Sequence, residues 1–160
     1  TLLADLNRDS AAAPDRAAFL QDLFEHRVDG RIKLYLTAAA LRYRRDHRAL
    51  FHSGQYVPLE GRGRQREHLF AFARIHDEES LVALVPRLLT KVIGDIQAIP
   101  PPADVWKDTW LTMPAWREGT KFRHIFTGQV FSTVTSEDRQ VLPVGEMLAH
   151  APVAWLERVG

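Results

Sequence analysis

Leu50-Phe51-His52-Ser53-Gly54-Gln55-Tyr56-Val57-Pro58-Leu59 is the stretch in which the periodicity of this chain changes. On its N-terminal side apolar residues recur every three or four positions, the repeat of a helix that buries one face. On its C-terminal side they alternate, and Val, Phe, Thr and Trp become frequent, residues that fit a pleated surface. Ser53-Gly54 separates the two regimes. The chain therefore divides into a helical segment, residues 1–52, and a β segment, residues 53–160. The expected fold class is α+β, with N-terminal helices followed by an antiparallel β-sandwich.

Working back from the break, Ile32, Tyr35, Leu36, Ala39 and Tyr43 share one stripe, widened by Leu34 and Leu41, and Asp29 stands where an N-cap belongs. This helix ends in Arg42, Arg44, Arg45, His47 and Arg48, whose positive charge suits the negative end of the helix dipole. A preceding helix over roughly Pro14 to Arg27 carries Ala17, Leu20 and Phe24 on one face, with Phe19 and Leu23 beside them. Pro14 fits its first turn.

Working forward, strands are expected around Gln55 to Leu59, His68 to Ile75, Leu81 to Val85, Val105 to Met113, Phe122 to Phe126, Val130 to Val134, Val141 to Pro143 and Val153 to Val159. Gly61-Arg62-Gly63-Arg64, Asp77-Glu78-Glu79 and Thr127-Gly128 read as turns between them. Leu88 to Ile99 has helical spacing and stops at Pro100-Pro101-Pro102, so a short helix or ordered loop interrupts the strands there.

The bulk composition narrows the function. A chain of 160 residues is too short for an α/β barrel of roughly 250 residues. A net charge of +1 lacks the basic excess of a dedicated nucleic-acid binder. Without cysteine there is no disulfide, thiolate metal site or cysteine nucleophile, and cytoplasm is the expected location. No apolar run approaches the ~20 residues of a membrane helix, so no membrane association is expected.

The side chains that carry chemistry elsewhere are poorly arranged for it here. Seven histidines show no i, i+4 pair flanked by a carboxylate, and we expect no metal site. Asp77, Glu78 and Glu79 are consecutive turn residues, which point apart instead of flanking a bond as glycosidase acids do. Neither a Gly-x-Ser-x-Gly elbow nor a P-loop ending is present, and no cofactor is expected. The arginines at 42–48 match a solvated helix end better than a phosphate-binding patch. Trp106 and Trp110 would share one face of an extended strand, a platform on which a sugar ring stacks. They are the candidate substrate-binding residues, while Trp116 and Trp155 read as packing residues.

The run Asp29-Gly30-Arg31-Ile32-Lys33-Leu34-Tyr35-Leu36-Thr37, with Ala40-Leu41-Arg42-Tyr43-Arg44-Arg45-Asp46-His47 after it, resembles the last barrel helix of maltooligosyltrehalose synthases, of the α-amylase superfamily (glycoside hydrolase family 13). Gly54-Gln55-Tyr56 sits where that helix gives way to a C-terminal β domain. His68-Leu69-Phe70-Ala71-Phe72-Ala73-Arg74, Val85-Pro86-Arg87, Trp106-Lys107-Asp108-Thr109-Trp110-Leu111, Phe126-Thr127-Gly128 and Pro152-Val153-Ala154-Trp155-Leu156 are similar to later signatures of the family, in the same order.

The resemblance implies a parent that turns the reducing-end α-1,4 linkage of a maltooligosaccharide into an α,α-1,1 linkage. Such a parent is an isomerase, a (1→4)-α-D-glucan 1-α-D-glucosylmutase, and needs no cofactor. Its carboxylates lie on barrel strands, and no position of this chain matches their motifs, so no catalytic residue is carried over. Residues 1–52 would then be the end of a missing catalytic barrel and residues 53–160 its C-terminal domain. The start at Thr1, within a helical pattern, leads us to expect a chain that continues upstream.

The expected partners are that barrel and, through the full-length enzyme, a maltooligosaccharide. The helix face of Ile32, Tyr35, Leu36 and Ala39 is expected to be left exposed, and to offer a surface for self-association. The alternative to a structural role is a stand-alone glucan-binding or self-associating module.

Overall fold

A computed structural model of the chain describes residues 1–93 and 103–160. Side-chain caps start the first two helices. The Thr1 hydroxyl accepts from the Ala4 amide ahead of α1 (Leu2–Ala12), and Asp15 Oδ1 accepts from the Ala17 and Ala18 amides ahead of α2 (Arg16–Glu25). Pro14 thus lies just before the cap instead of in the first turn.

Gly30, at φ 78°, precedes α3 (Arg31–Asp46), a left-handed conformation that a side chain disfavours. Asp29 sits one position earlier than a cap but does similar work, accepting from the Arg31 amide at 2.9 Å and from Arg31 Nε at 2.7 Å. A short helix, α4 (Arg48–His52), carries the chain to the break at Gly54. There the helix end and the sheet come together tightly: a Cβ on Gly54 would lie 2.2 Å from the Leu50 carbonyl oxygen.

Among the described residues ten strands follow: β1 (Gln55–Leu59), β2 (Gly61–Gly63), β3 (Leu69–His76), β4 (Glu79–Pro86), β5 (Thr109–Thr112), β6 (Lys121–His124), β7 (Val130–Ser132), β8 (Val134–Ser136), β9 (Arg139–Pro143) and β10 (Ala154–Val159). They form a six-stranded sheet in the order β1-β3-β4-β10-β6-β7 and a four-stranded sheet in the order β2-β5-β9-β8, with every pairing antiparallel. The fold is α+β with a sandwich-like arrangement of sheets.

Alternation along the strands sets the layers. Ala71, Ala73, Val82, Leu84, Phe122, Ala154 and Leu156 of the larger sheet join Leu111 and Leu142 of the smaller one in a core between the two. The opposite face of β10 carries Trp155, which belongs to a second core with Leu20, Leu23, Phe24, Ile32, Tyr35 and Phe126. The order through the molecule is therefore helices, six-stranded sheet, four-stranded sheet. With both its faces covered, β4 reads as a continuous apolar run, and Leu81 to Leu84 are all buried.

Several sequence expectations need correction. Gly61–Gly63 is a strand paired with β5, and Gly63, at φ 94°, comes so close to its neighbour that a Cβ would be 1.6 Å from the Asp108 carbonyl oxygen. Val130 to Val134 is two strands, split at buried Thr133, where the chain crosses from one sheet to the other; the Thr133 amide donates to the Thr120 carbonyl at 3.0 Å. Val105 and Trp106 belong to a 3₁₀ turn, Ala103–Trp106, and the strand begins only at Thr109. A helical turn at Val144–Met147 (α6) was not expected. Of the helix read over Leu88 to Ile99, the part at Thr90–Ile93 (α5) is present and residues 94–99 lie outside the described residues.

Candidate functional site: the outer face of the larger sheet

The helices cover only part of the outer face of the six-stranded sheet. α3 lies against β10 and the segment after β6, burying Ile32 and Tyr35 with Phe126, and Leu36 and Ala39 pack against the same core. Phe19 meets Tyr35 edge to face at 5.4 Å, and Ser10 hydrogen-bonds the Tyr35 hydroxyl at 2.8 Å. This corrects part of the expected exposed helix face. Ile32 and Tyr35 are buried, because α1 and α2 close over one side of α3 while the sheet closes the other, whereas Leu36 and Ala39 stay half-buried and Leu36 borders an open apolar groove.

Further apolar surface is left open on β1 and β3. Tyr56 and Phe70 are 47% and 48% exposed, and Phe72 stacks on Tyr56 with ring centroids 5.1 Å apart and lies 6.2 Å from Phe70. Register explains the shelf: Phe70 and Phe72 alternate with Ala71 and Ala73, which face the inter-sheet core, so their rings project outward. Alongside it runs a groove of about 440 Å³ lined by Ile32, Leu36, Ala40, Val85, Val153 and Trp155, among others. Val85 pairs with Phe70, so shelf and groove adjoin.

A second depression, polar and about 430 Å³, lies farther along α3. Tyr43 and Asp46 form its helical wall, and Arg123, His124, Ile125 and Glu157 form the sheet wall. Arg123 Nε and Nη2 both reach Glu157 Oε1, at 2.7 and 2.6 Å. Burial, then the negative charge of Glu157, pushes the Tyr43 hydroxyl well above its ordinary pKa, so it remains protonated. His124 is fully buried; its Nδ1 accepts from the Phe126 amide at 3.2 Å, and burial pushes its pKa down to about 4.

No family model matches the chain, and no curated protein matches it. Among solved structures it is similar to a point mutant of maltooligosyltrehalose synthase from Arthrobacter ramosus, with 28% identity and a TM-score of 0.59 over 90% of this chain. The chain is similar to the C-terminal portion of a glycoside hydrolase family 13 enzyme. It spans 16% of that synthase's length, well short of the whole. A noncanonic maltogenic α-amylase from Thermotoga neapolitana shares the fold, with a TM-score of 0.51 and 12% identity over 79% of this chain and 25% of its own.

Within the chain the residues singled out from sequence are scattered. Trp106 is 1% exposed in its 3₁₀ turn, packed in the inter-sheet core, while Trp110 is half-buried on β5. The two therefore make no platform, because the 3₁₀ turn breaks the extended backbone that would have aligned them. Trp116 packs against Phe122 at 5.2 Å and Trp155 joins the helix core.

Asp77, Glu78 and Glu79 each reach a different side chain: His76 at 3.5 Å, Arg158 at 2.7 Å and His47 at 3.5 Å. Among the described residues no three His, Asp or Glu side chains converge on one point. Nor is any described helix long and apolar enough to cross a membrane. Arg44 and Arg48 flank Phe51 and His52 at the surface, with Arg44 over the Phe51 ring at 5.9 Å. The shelf was within reach of sequence reasoning: the alternation of Phe70 and Phe72 with two alanines marks a face that is aromatic and outward.

Proposed function

We propose that this chain is the C-terminal portion of a maltooligosyltrehalose synthase-like enzyme and that its role there is structural. The observation that supports the reading most is 28% identity sustained over 90% of the chain. On this reading the parent moves the reducing-end α-1,4 linkage of a maltooligosaccharide to an α,α-1,1 linkage by intramolecular transglucosylation. The nucleophile and the acid/base carboxylates belong to the parent's barrel, and this portion contributes packing.

The shelf of Tyr56, Phe70 and Phe72, with the groove beside it, is the surface proposed to meet that barrel. Large aromatic rings left outward on a sheet are stabilised once another apolar surface excludes water from them.

One experiment tests both parts. The 160-residue chain, and a version extended upstream by its own coding sequence, are each incubated with maltoheptaose, and reducing ends and products are followed. The expected outcome is no conversion by the short chain and loss of reducing ends, without net hydrolysis, by the extended one. Product from the short chain alone overturns the structural role. Plain hydrolysis by the extended chain overturns the synthase reading.

A further inference from the structure

We propose that the polar cleft between α3 and strands β6 and β10 binds a neutral polyhydroxylated ligand, a sugar. Its volume of about 430 Å³ falls within the range of roughly 300–1,000 Å³ common to small-molecule sites. Charge decides the ligand class. The lining holds two guanidinium groups, Arg16 and Arg123, and two carboxylates, Asp46 and Glu157. Each carboxylate already holds a guanidinium, Glu157 that of Arg123 at 2.6 Å and Asp46 that of Arg45 at 2.9 Å, so three of the four lining charges are neutralised in place and the walls present paired donors and acceptors.

A sugar hydroxyl donates and accepts at once, and the lining offers both partners. The Arg123–Glu157 pair is fixed by two contacts, and it presents guanidinium N–H groups beside carboxylate lone pairs. Arg16 has no carboxylate partner among the described residues. Its guanidinium lies against Gly128, where a Cβ would come within 2.8 Å of Nη2, so the glycine leaves it room at the cleft. The Tyr43 hydroxyl, held protonated beside the Glu157 carboxylate, adds an acceptor oxygen to the lining. Tyr43 itself is braced by His47, stacked at 4.0 Å, and by Trp155 at 6.3 Å, so this wall is pre-formed.

The choice of a maltooligosaccharide as probe rests on the functional reading above. The test is a titration of the ¹⁵N-labelled chain with maltotriose, following backbone amides. Saturable shifts at Tyr43, Arg123, Ile125 and Glu157, with a Kd in the millimolar range or tighter, are expected. Arg16→Ala, a change at an exposed side chain, is expected to weaken binding about threefold or more while leaving other amides in place. Ala39→Phe, which puts a ring into the cleft, is expected to abolish it.

No saturable shift by ~50 mM maltotriose overturns the proposal, as does an unchanged affinity in Arg16→Ala. Sodium sulfate that shifts the same amides and displaces maltotriose marks an anion site and also overturns it. The outcome is independent of the activity assay. A structural portion of a synthase need not bind sugar here, and a sugar-binding cleft needs no synthase.

Discussion

Tyr43 of α3 and Trp155 of β10 meet edge to face, ring centroids 6.3 Å apart and planes at 80°. Trp155 also stacks near Phe51 at 6.0 Å and Phe126 at 6.4 Å, so one indole joins α3, α4 and the larger sheet. Trp155→Ala is expected to cost about 3 kcal/mol, because it removes a large aromatic body from contact with three others. Urea unfolding followed by far-ultraviolet circular dichroism measures it. A loss below about 1 kcal/mol would mean that the helices are held mainly elsewhere.

Gly54 and Gly119 separate two reasons for a glycine. At Gly54 a Cβ collides with the Leu50 carbonyl, whereas at Gly119, φ 76°, nothing lies within 4 Å and only the backbone conformation resists a side chain. Gly54→Ala should therefore cost about 2–4 kcal/mol and Gly119→Ala about 1–2 kcal/mol. Thermal melts of the two variants, side by side, decide the order.

His124 makes stability pH-dependent. Its pKa is about 4 in the folded chain against 6.5 for the free side chain, so below pH 6.5 the unfolded state takes up a proton that the native state refuses. The stabilisation is complete above pH 6.5, falls as pH drops toward 4, and levels off below that; the loss is about 3 kcal/mol. His124→Asn, which keeps an acceptor for the Phe126 amide but cannot titrate, should remove this part of the slope. Urea midpoints at pH 7.5 and pH 4.5, roughly the two ends of the window, test it.

The Arg123–Glu157 pair is geometrically good but open to solvent, with Arg123 49% exposed. Its coupling in a double-mutant cycle should be no more than about 1 kcal/mol, and should shrink in roughly 0.5 M salt. A coupling several times larger would indicate that the cleft is drier than its geometry implies.

Much of this architecture was legible in the sequence because two periods are hard to confuse. The stripe of α3 and the strand at Gln55–Leu59 follow directly from them. What escaped is set by tertiary contact. Gly61–Gly63 carries turn chemistry, yet β5 supplies the partners that make it a strand. Thr133 interrupts an alternating run without any local signal, since the switch between sheets depends on hydrogen bonds to Arg117 and Thr120.

The extent of the exposed helix face was misjudged for a related reason. Periodicity shows that a face is apolar but not which element covers it, and α1 with α2 does so here. The polar cleft was equally hidden, because Arg16, Tyr43, Arg123 and Glu157 come from four separate elements.

The position of β10 between β4 and β6 bears on how the protein is made. On the ribosome, β4 and β6 are synthesised long before the segment that joins them, so the larger sheet waits as two unzipped halves until residues 154–159 have left the exit tunnel. A message cut short just before Ala154 would yield a nascent chain with two open β edges, a substrate for chaperones and proteases instead of a smaller folded product.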